Sequence, residues 1–178
     1  MRITGGSLGG RQIEVPEGRI RPAMDRMRES IFAVLGDLSG KSFLDLFSGS
    51  GIIALEAASR GADPVEAVEN DSLKRKILLK NVSISPVFIR CRFMAVELYV
   101  KRAGRGFDLI FCDPPFPYRY KWELLGEIAA SPLVQDTSLV LLHRPREDEH
   151  KEAVPFLVYQ ESREYGRSIV DFFMGSKN

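Results

Sequence analysis

Cysteine and histidine are both scarce in this 178-residue chain, at two each: Cys91 and Cys112, His143 and His150. Two cysteines build no disulfide framework, and their spacing fits no zinc site. Both stand in apolar, strand-like runs and read as buried free thiols in a reducing compartment. No metal-ligating cluster surrounds either histidine, and each reads as a strand-end or loop residue. No run approaches membrane-spanning length, and the N-terminus lacks an apolar signal core. The chain therefore reads as soluble and cytoplasmic, with neither a metal nor a membrane as partner. A strong excess of charge of one sign is missing too, since the formal net charge is +1.

That near-neutral balance is unevenly spread. Residues 1–28 hold six arginines (Arg2, Arg11, Arg19, Arg21, Arg26 and Arg28) against three carboxylates, Glu14, Glu17 and Asp25. Arginine binds phosphate bidentately, so an arginine-rich end on a nearly neutral body points to a polyanion, although arginines are also ordinary surface residues. With 44% hydrophobic residues, the chain can bury one good core.

Gly5, Gly6, Gly9 and Gly10 lie between two short alternating runs, which predicts a β-hairpin. It is too small to hold a core of its own and must dock on the main domain or on a partner. A division follows into an extension with linker, 1–22, and a main domain, 23–178. Asp25 reads as the N-cap of a helix that buries Met27, Ile31, Val34 and Leu35, with Gly36 ending it. From Lys41 the pattern alternates: strands near 41–47, 65–69, 87–91, 107–112 and 138–142, with helices near 52–60, 72–82, 95–102 and 122–130. Such alternation implies a mainly parallel sheet covered on both faces. The runs 156–161 and 168–173 flank Tyr165-Gly166 and read as a closing antiparallel hairpin.

The first strand ends in Asp45 and is followed by Ser48-Gly49-Ser50-Gly51 and a helix, which is a nucleotide-binding βα unit. The second strand ends in Glu69, near the spacing of a ribose-binding acid. Asp45 separates two cofactor classes. A carboxylate just before the turn repels a pyrophosphate, which disfavours a nicotinamide dinucleotide. It suits S-adenosylmethionine, whose methionine end carries an ammonium and whose sulfur is positive. A local turn-capping role for Asp45 stays open. The fourth strand runs into Asp113-Pro114-Pro115-Phe116. Prolines fix φ and donate no N–H, so this segment holds a carboxylate, free carbonyls and a ring rigidly at a sheet edge. Such a site can accept hydrogen bonds from a planar amine and stack on the ring bearing it. Strand punctuation is the plainer alternative.

Residues 45–51 resemble motif I of the S-adenosylmethionine-dependent methyltransferases, and Asp113-Pro114-Pro115-Phe116 resembles the catalytic motif of those that methylate exocyclic base amines. The ordered set Gly10-Arg11, Val15-Pro16, Arg21-Pro22, Asp25-Arg26, Arg28-Glu29, Phe32, Leu55-Glu56-Ala57, Ser59-Arg60-Gly61-Ala62, Val68-Glu69 and Tyr165-Gly166 is similar to the RsmD family of 16S ribosomal RNA guanine-N2 methyltransferases. The resemblance implies a seven-stranded Rossmann-like fold, a mostly parallel sheet with an antiparallel C-terminal hairpin and an N-terminal β-hairpin that faces RNA. It implies catalysis at Asp113, Pro114, Pro115 and Phe116. Cofactor contacts fall at Asp45, Phe47, Gly49, Gly51, Glu69, Asn70, Met94 and Ala95, and RNA contacts at Arg11, Arg21, Arg26, Arg28 and Tyr118. The implied partner is 16S ribosomal RNA, within the small subunit or an assembly intermediate, and the protein is expected as a monomer. Three departures stand out: Ala23 where the family commonly has threonine, Met94 where relatives carry Asp or Asn, and His143 where the family tends to have an acid. Met94 can only pack on an adenine ring. Other readings are methylation of another amine, such as adenine in a nucleic acid or a protein glutamine, and a non-catalytic RNA-binding module.

Overall fold

The computed structural model describes residues 1–15, 22–149 and 153–177. Seven strands form one sheet: β1 (Phe43–Leu46), β2 (Val65–Glu69), β3 (Ile89–Phe93), β4 (Leu109–Cys112), β5 (Leu139–Pro145), β6 (Leu157–Tyr165) and β7 (Ser168–Gly175). Five helices cover it: α1 (Pro22–Leu35), α2 (Ile52–Ser59), α3 (Arg75–Val82), α4 (Val96–Lys101) and α5 (Lys121–Ala130). The strand order is β3-β2-β1-β4-β5-β7-β6. β1 to β5 are parallel, and β7 pairs antiparallel with both β5 and β6. This is the mostly parallel sheet with an antiparallel C-terminal hairpin that the alternation predicts.

Strands β1 and β4 are buried at every residue, as expected for short apolar runs with helices on both faces. One core holds Met27, Ile31 and Phe32 of α1 with the apolar face of α2 and Phe43 and Phe111 of the sheet. The other holds Val96 and Val100 of α4 and Leu124, Leu125 and Ile128 of α5 against Leu44, Leu46 and Ile110. β6 lies at the sheet edge and exposes Glu161 and Glu164 among its charged residues, which suits an edge that must not pair further.

Helix α1 departs from the reading in two ways. It starts at Pro22, so Asp25 lies in its first turn and does not cap it. Phe32, not Val34, completes the buried face, and Val34 is 44% exposed. The predicted N-terminal hairpin is present but short: the Ile3 N–H donates to Arg11 O, the Gly10 N–H to Ile3 O and the Ile13 N–H to Met1 O, each at 2.9 Å. Residues 1–15 contribute one bridge, Arg2 with Gln12, and a single 3-10 turn at Gly6–Leu8. Between its two paired arms the segment docks on α2. The Thr4 N–H and hydroxyl donate to the two Glu56 oxygens at 2.8 and 3.0 Å. The Leu8 N–H donates to Ser59 Oγ at 2.8 Å, whose hydroxyl donates to Gly5 O at 2.6 Å. Gly6 has φ +73°, and a Cβ there would fall 1.9 Å from Ser59 O, so only glycine allows this approach. Ile3, Leu8 and Ile13 enter the α1–α2 core, and all eight residues of α2 are buried beneath sheet and segment.

Candidate active site

The strand order reverses between β1 and β4, and in such sheets ligands bind outside the C-terminal ends of the strands at that point. Leu46 pairs with Cys112, so Phe47 and Asp113 leave the sheet side by side, and the Asp113 N–H donates to Leu46 O at 3.2 Å. A cavity of about 500 Å³ opens there, lined by Phe47, Glu69, Asp113, Pro114, Pro115, Phe116 and His143 and closed on the far side by Met1, Met24 and Asp25. That volume suits a small-molecule ligand. A smaller space of about 130 Å³ adjoins it, sharing Phe47 and Asp113 and reaching Asp45, Ser48 and Gly49.

The β1 turn is built around two buried carboxylates. Asp45, 1% exposed, accepts from the Ser48 hydroxyl at 2.6 Å and the Ala54 N–H at 3.2 Å, tying the strand end to the first turn of α2. The turn-capping role is therefore real, and Asp45 still lines the smaller space. Burial, then the negative charges of Asp113 and Glu69, push its carboxyl up to about 7, against the pull of its two hydrogen bonds. Glu69 accepts from the Gly49 N–H at 2.7 Å and the Asp71 N–H at 2.8 Å. Each of its oxygens keeps a second lone pair, and the side chain lines the larger cavity. Gly51 has φ +82°, and a Cβ there would sit 2.6 Å from Leu78 Cδ1, so the turn needs glycine to lie against α3.

The β4 corner is held by side chains. His143 Nδ1 lies 2.6 Å from Asp113 Oδ1, and the His143 ring meets Phe116 edge-on with centroids 5.4 Å apart. Lys121, 4% exposed, donates to Phe116 O at 3.0 Å and Tyr118 O at 2.5 Å and pairs with Asp148 at 2.9 Å. It fixes the backbone that follows the two prolines. His143, read from the sequence as a strand-end residue standing where the family tends to have an acid, lies within β5. Nothing in the spacing marks Lys121 as a brace for this backbone or His143 as the partner of Asp113.

Several predicted contacts lie elsewhere. Met94 lines a separate groove with Arg90, Arg92 and Tyr99, and its N–H donates to Glu69 O at 3.2 Å. Asn70 is exposed, Ala95 precedes α4, and neither lines the cavity. The Tyr118 hydroxyl donates to Glu97 at 2.5 Å, and its ring backs Phe47 at 5.7 Å. Burial and the Glu97 carboxylate raise its pKa, and the partly buried ring backs the wall of the cavity. Arg28 differs most from expectation. It is 2% exposed, and its guanidinium donates to Glu56 at 2.9 Å and Arg2 O at 2.8 Å and pairs with Asp25 at 3.1 Å. Arg28 joins the N-terminal segment to α2 and is closed to a phosphate. Arg11 and Arg26 are exposed, as a phosphate contact requires. Arg21 and His150 lie outside the described residues.

Among the described residues no helix is long and apolar enough to cross a membrane. The two spaces together fit a cationic ligand bearing ribose hydroxyls: Glu69 and Asp113 line the cavity beside Lys74, Asp45 lines the smaller space that adjoins it, and Glu69 retains acceptor capacity. The chain is similar to a Bacillus subtilis protein, YlbH, provisionally named as an rRNA methyltransferase, with 31% identity over 97% of this chain and 98% of that one. It is 34% identical to the ribosomal RNA small subunit methyltransferase D of Escherichia coli K12, over 65% of this chain and 60% of that protein. A solved Escherichia coli structure, provisionally named as the methyltransferase yhhF, superposes with a TM-score of 0.90 and 26% identity across 100% of this chain and 99% of that one. The profile of the family described as conserved hypothetical protein 95 matches residues 1–174. With that profile spanning almost the whole chain, and the methyltransferase D proteins among its relatives, the chain belongs to the RsmD family of methyltransferases.

Proposed function

We propose that the chain transfers the methyl group of S-adenosylmethionine to the exocyclic N2 amine of a guanine in small-subunit ribosomal RNA. One observation carries the reading: Asp113-Pro114-Pro115-Phe116 shares a cavity with Glu69 and adjoins Asp45 at the β1/β4 reversal. When bound, S-adenosylmethionine supplies an electrophilic methyl group on a positively charged sulfur. Asp45 and Glu69 would hold it, Asp45 by charge and Glu69 through hydroxyls.

A guanine amine is a poor nucleophile because its lone pair is delocalised into the ring. Acceptors fixed on its two N–H groups favour a pyramidal nitrogen and return density to the attacking lone pair. Asp113 and the Pro114 carbonyl are the acceptors in this reading. An ionised carboxylate only accepts, which matches the donor edge of guanine. Phe116, half-exposed in the cavity wall, is placed to stack on the base, an interaction worth about 1–3 kcal/mol. The base must be unpaired or flipped to reach this site. The N-terminal segment with Arg11, together with Arg26 of α1, would meet the RNA backbone. The protein would act as a monomer in the cytoplasm, on the small subunit or an assembly intermediate.

The test is methyl transfer from labelled S-adenosylmethionine to small-subunit RNA, naked and protein-bound, followed by nucleoside mapping. N2-methylguanosine is expected. Methyladenosine or methylglutamine as the product would sink the reading.

A further inference from the structure

Leu142 pairs with Cys112 across the parallel β4–β5 ladder, so His143 and Asp113 emerge together at the same edge of the sheet. The 2.6 Å separation of His143 Nδ1 and Asp113 Oδ1 is a short, charge-assisted contact. The imidazole side chain is 1% exposed, while that of Asp113 is 26% exposed and faces the cavity. The other ring nitrogen, Nε2, is buried and has no hydrogen-bond partner among the described residues.

These contacts favour one tautomer of the imidazole. An ionised Asp113 can only accept, so the shared proton sits on Nδ1. A second proton on Nε2 would create a buried cationic donor with nothing to receive it, which costs more than leaving a bare lone pair. The tautomer with Nδ1–H donating and Nε2 bare meets both conditions. A neutral donor anchors Oδ1 without cancelling the carboxylate charge. Asp113 Oδ2 has no hydrogen-bond partner among the described residues and remains for a substrate N–H.

We infer that His143 is a positioning residue for methyl transfer: its Nδ1–H pins Asp113 Oδ1, and its ring edge seats Phe116. One side chain thereby sets both the acceptor and the stacking plane. The inference rests on the assignment of Asp113 as the amine acceptor, and its first test is independent of that assignment.

Nitrogen-15 NMR of the imidazoles in the free protein near neutral pH needs neither RNA nor turnover. A protonated Nδ1 and a bare Nε2 are expected for His143, and an Nε2–H tautomer or an imidazolium overturns the inference. The second arm measures methyl transfer at saturating S-adenosylmethionine. His143→Phe keeps a buried ring and loses the donor. It should lower kcat about 100-fold, with the RNA KM and the Kd for S-adenosylmethionine changed by less than about twofold. His143→Asn offers an amide N–H near the Nδ1 position and should return kcat to within about tenfold of the unsubstituted protein. His143→Phe turning over within about threefold of the parent, or His143→Asn doing no better than His143→Phe, overturns the inference. Circular dichroism checks folding. If His143→Phe does not fold, the NMR result and His143→Asn decide, and a kcat about 100-fold down in His143→Asn counts against positioning. A parent protein that methylates no RNA would defeat the proposed function and leave the NMR arm to judge the Asp113–His143 pair.

Discussion

The two halves of the cavity are built on opposite rules. On the β1–β2 side, Asp45 and Glu69 are both buried, and backbone N–H groups of Ala54, Gly49 and Asp71, with the Ser48 hydroxyl on Asp45, already occupy them. On the β4–β5 side, Asp113 is partly exposed and one of its oxygens is held by a side chain, His143. Backbone donors cannot be lost by substitution and hold their geometry whether or not a ligand is present. That suits a half whose task is binding. A carboxylate with one oxygen anchored and one free suits a half whose task is to meet a changing hydrogen-bond pattern at a reacting amine. Substitutions on the first side should therefore move affinity, and those on the second should move turnover.

The sharpest way to break this comparison is Asp113→Ala. Turnover should fall by about 10²–10³-fold or more, while S-adenosylmethionine still binds with nearly parental affinity in calorimetry. Near-normal turnover would remove Asp113 from the chemistry, and lost cofactor binding would mean that the halves are not separate. Arg28→Ala probes the wall that closes both halves. It strips a guanidinium from Glu56, which is 0% exposed, and cuts the tie to Arg2. Because Arg60 and Thr4 still contact Glu56, a loss near the low end of the usual range, about 3 kcal/mol, is expected in urea unfolding. The neighbouring Arg26→Ala should stay within about 0.5 kcal/mol of the parent.

Much of this architecture was legible in the sequence because it rests on local pattern. The apolar runs of β1 and β4 and the glycines that permit Gly51 to lie against Leu78 leave marks at fixed positions. What sequence could not give was where long-range hydrogen bonds would be spent. Glycine-flanked alternation in residues 1–15 suggests the hairpin that forms, yet nothing in it shows that the Thr4 and Leu8 N–H groups go to Glu56 and Ser59, about fifty positions away. The same contacts decide that Arg28 is structural while Arg26, two residues earlier, is exposed. The roles of His143 and Lys121 were hidden for the same reason: each acts through a partner that only the folded sheet brings near.

Asp45 sharpens the binding half through pH. Its carboxyl is pushed up to about 7 by burial, so the folded protein keeps a proton that the unfolded chain loses near pH 4. Folding stability from this group is full below about pH 4 and is lost as pH rises to about 7, with a slope of up to about 1.4 kcal/mol per unit. Asp45→Asn carries no such proton, so its stability relative to the parent should climb across that window and then level off. A cationic ligand favours the ionised carboxylate. Parental affinity for S-adenosylmethionine should therefore rise with pH between about 6 and 8, while that of Asp45→Asn stays low and flat. A flat parental curve in calorimetry would show that Asp45 only braces the turn.

The smallest effect belongs to the exposed arginines, and it separates surface from site. Arg11 and Arg26 project from the N-terminal segment and α1, the elements whose Met1 and Met24 line the cavity. If they touch phosphates, Arg11→Ala and Arg26→Ala should weaken RNA binding modestly and with little regard to sequence. Each should reduce the slope of log affinity against log salt by about 1. Cofactor affinity and kcat at saturating RNA should stay unchanged, because neither residue reaches Asp45, Glu69 or Asp113. A change in kcat without a change in salt slope would place these arginines in the reacting half. An unchanged slope with unchanged kcat would leave them as ordinary surface charge, and the RNA would then have to be gripped by other faces of the protein.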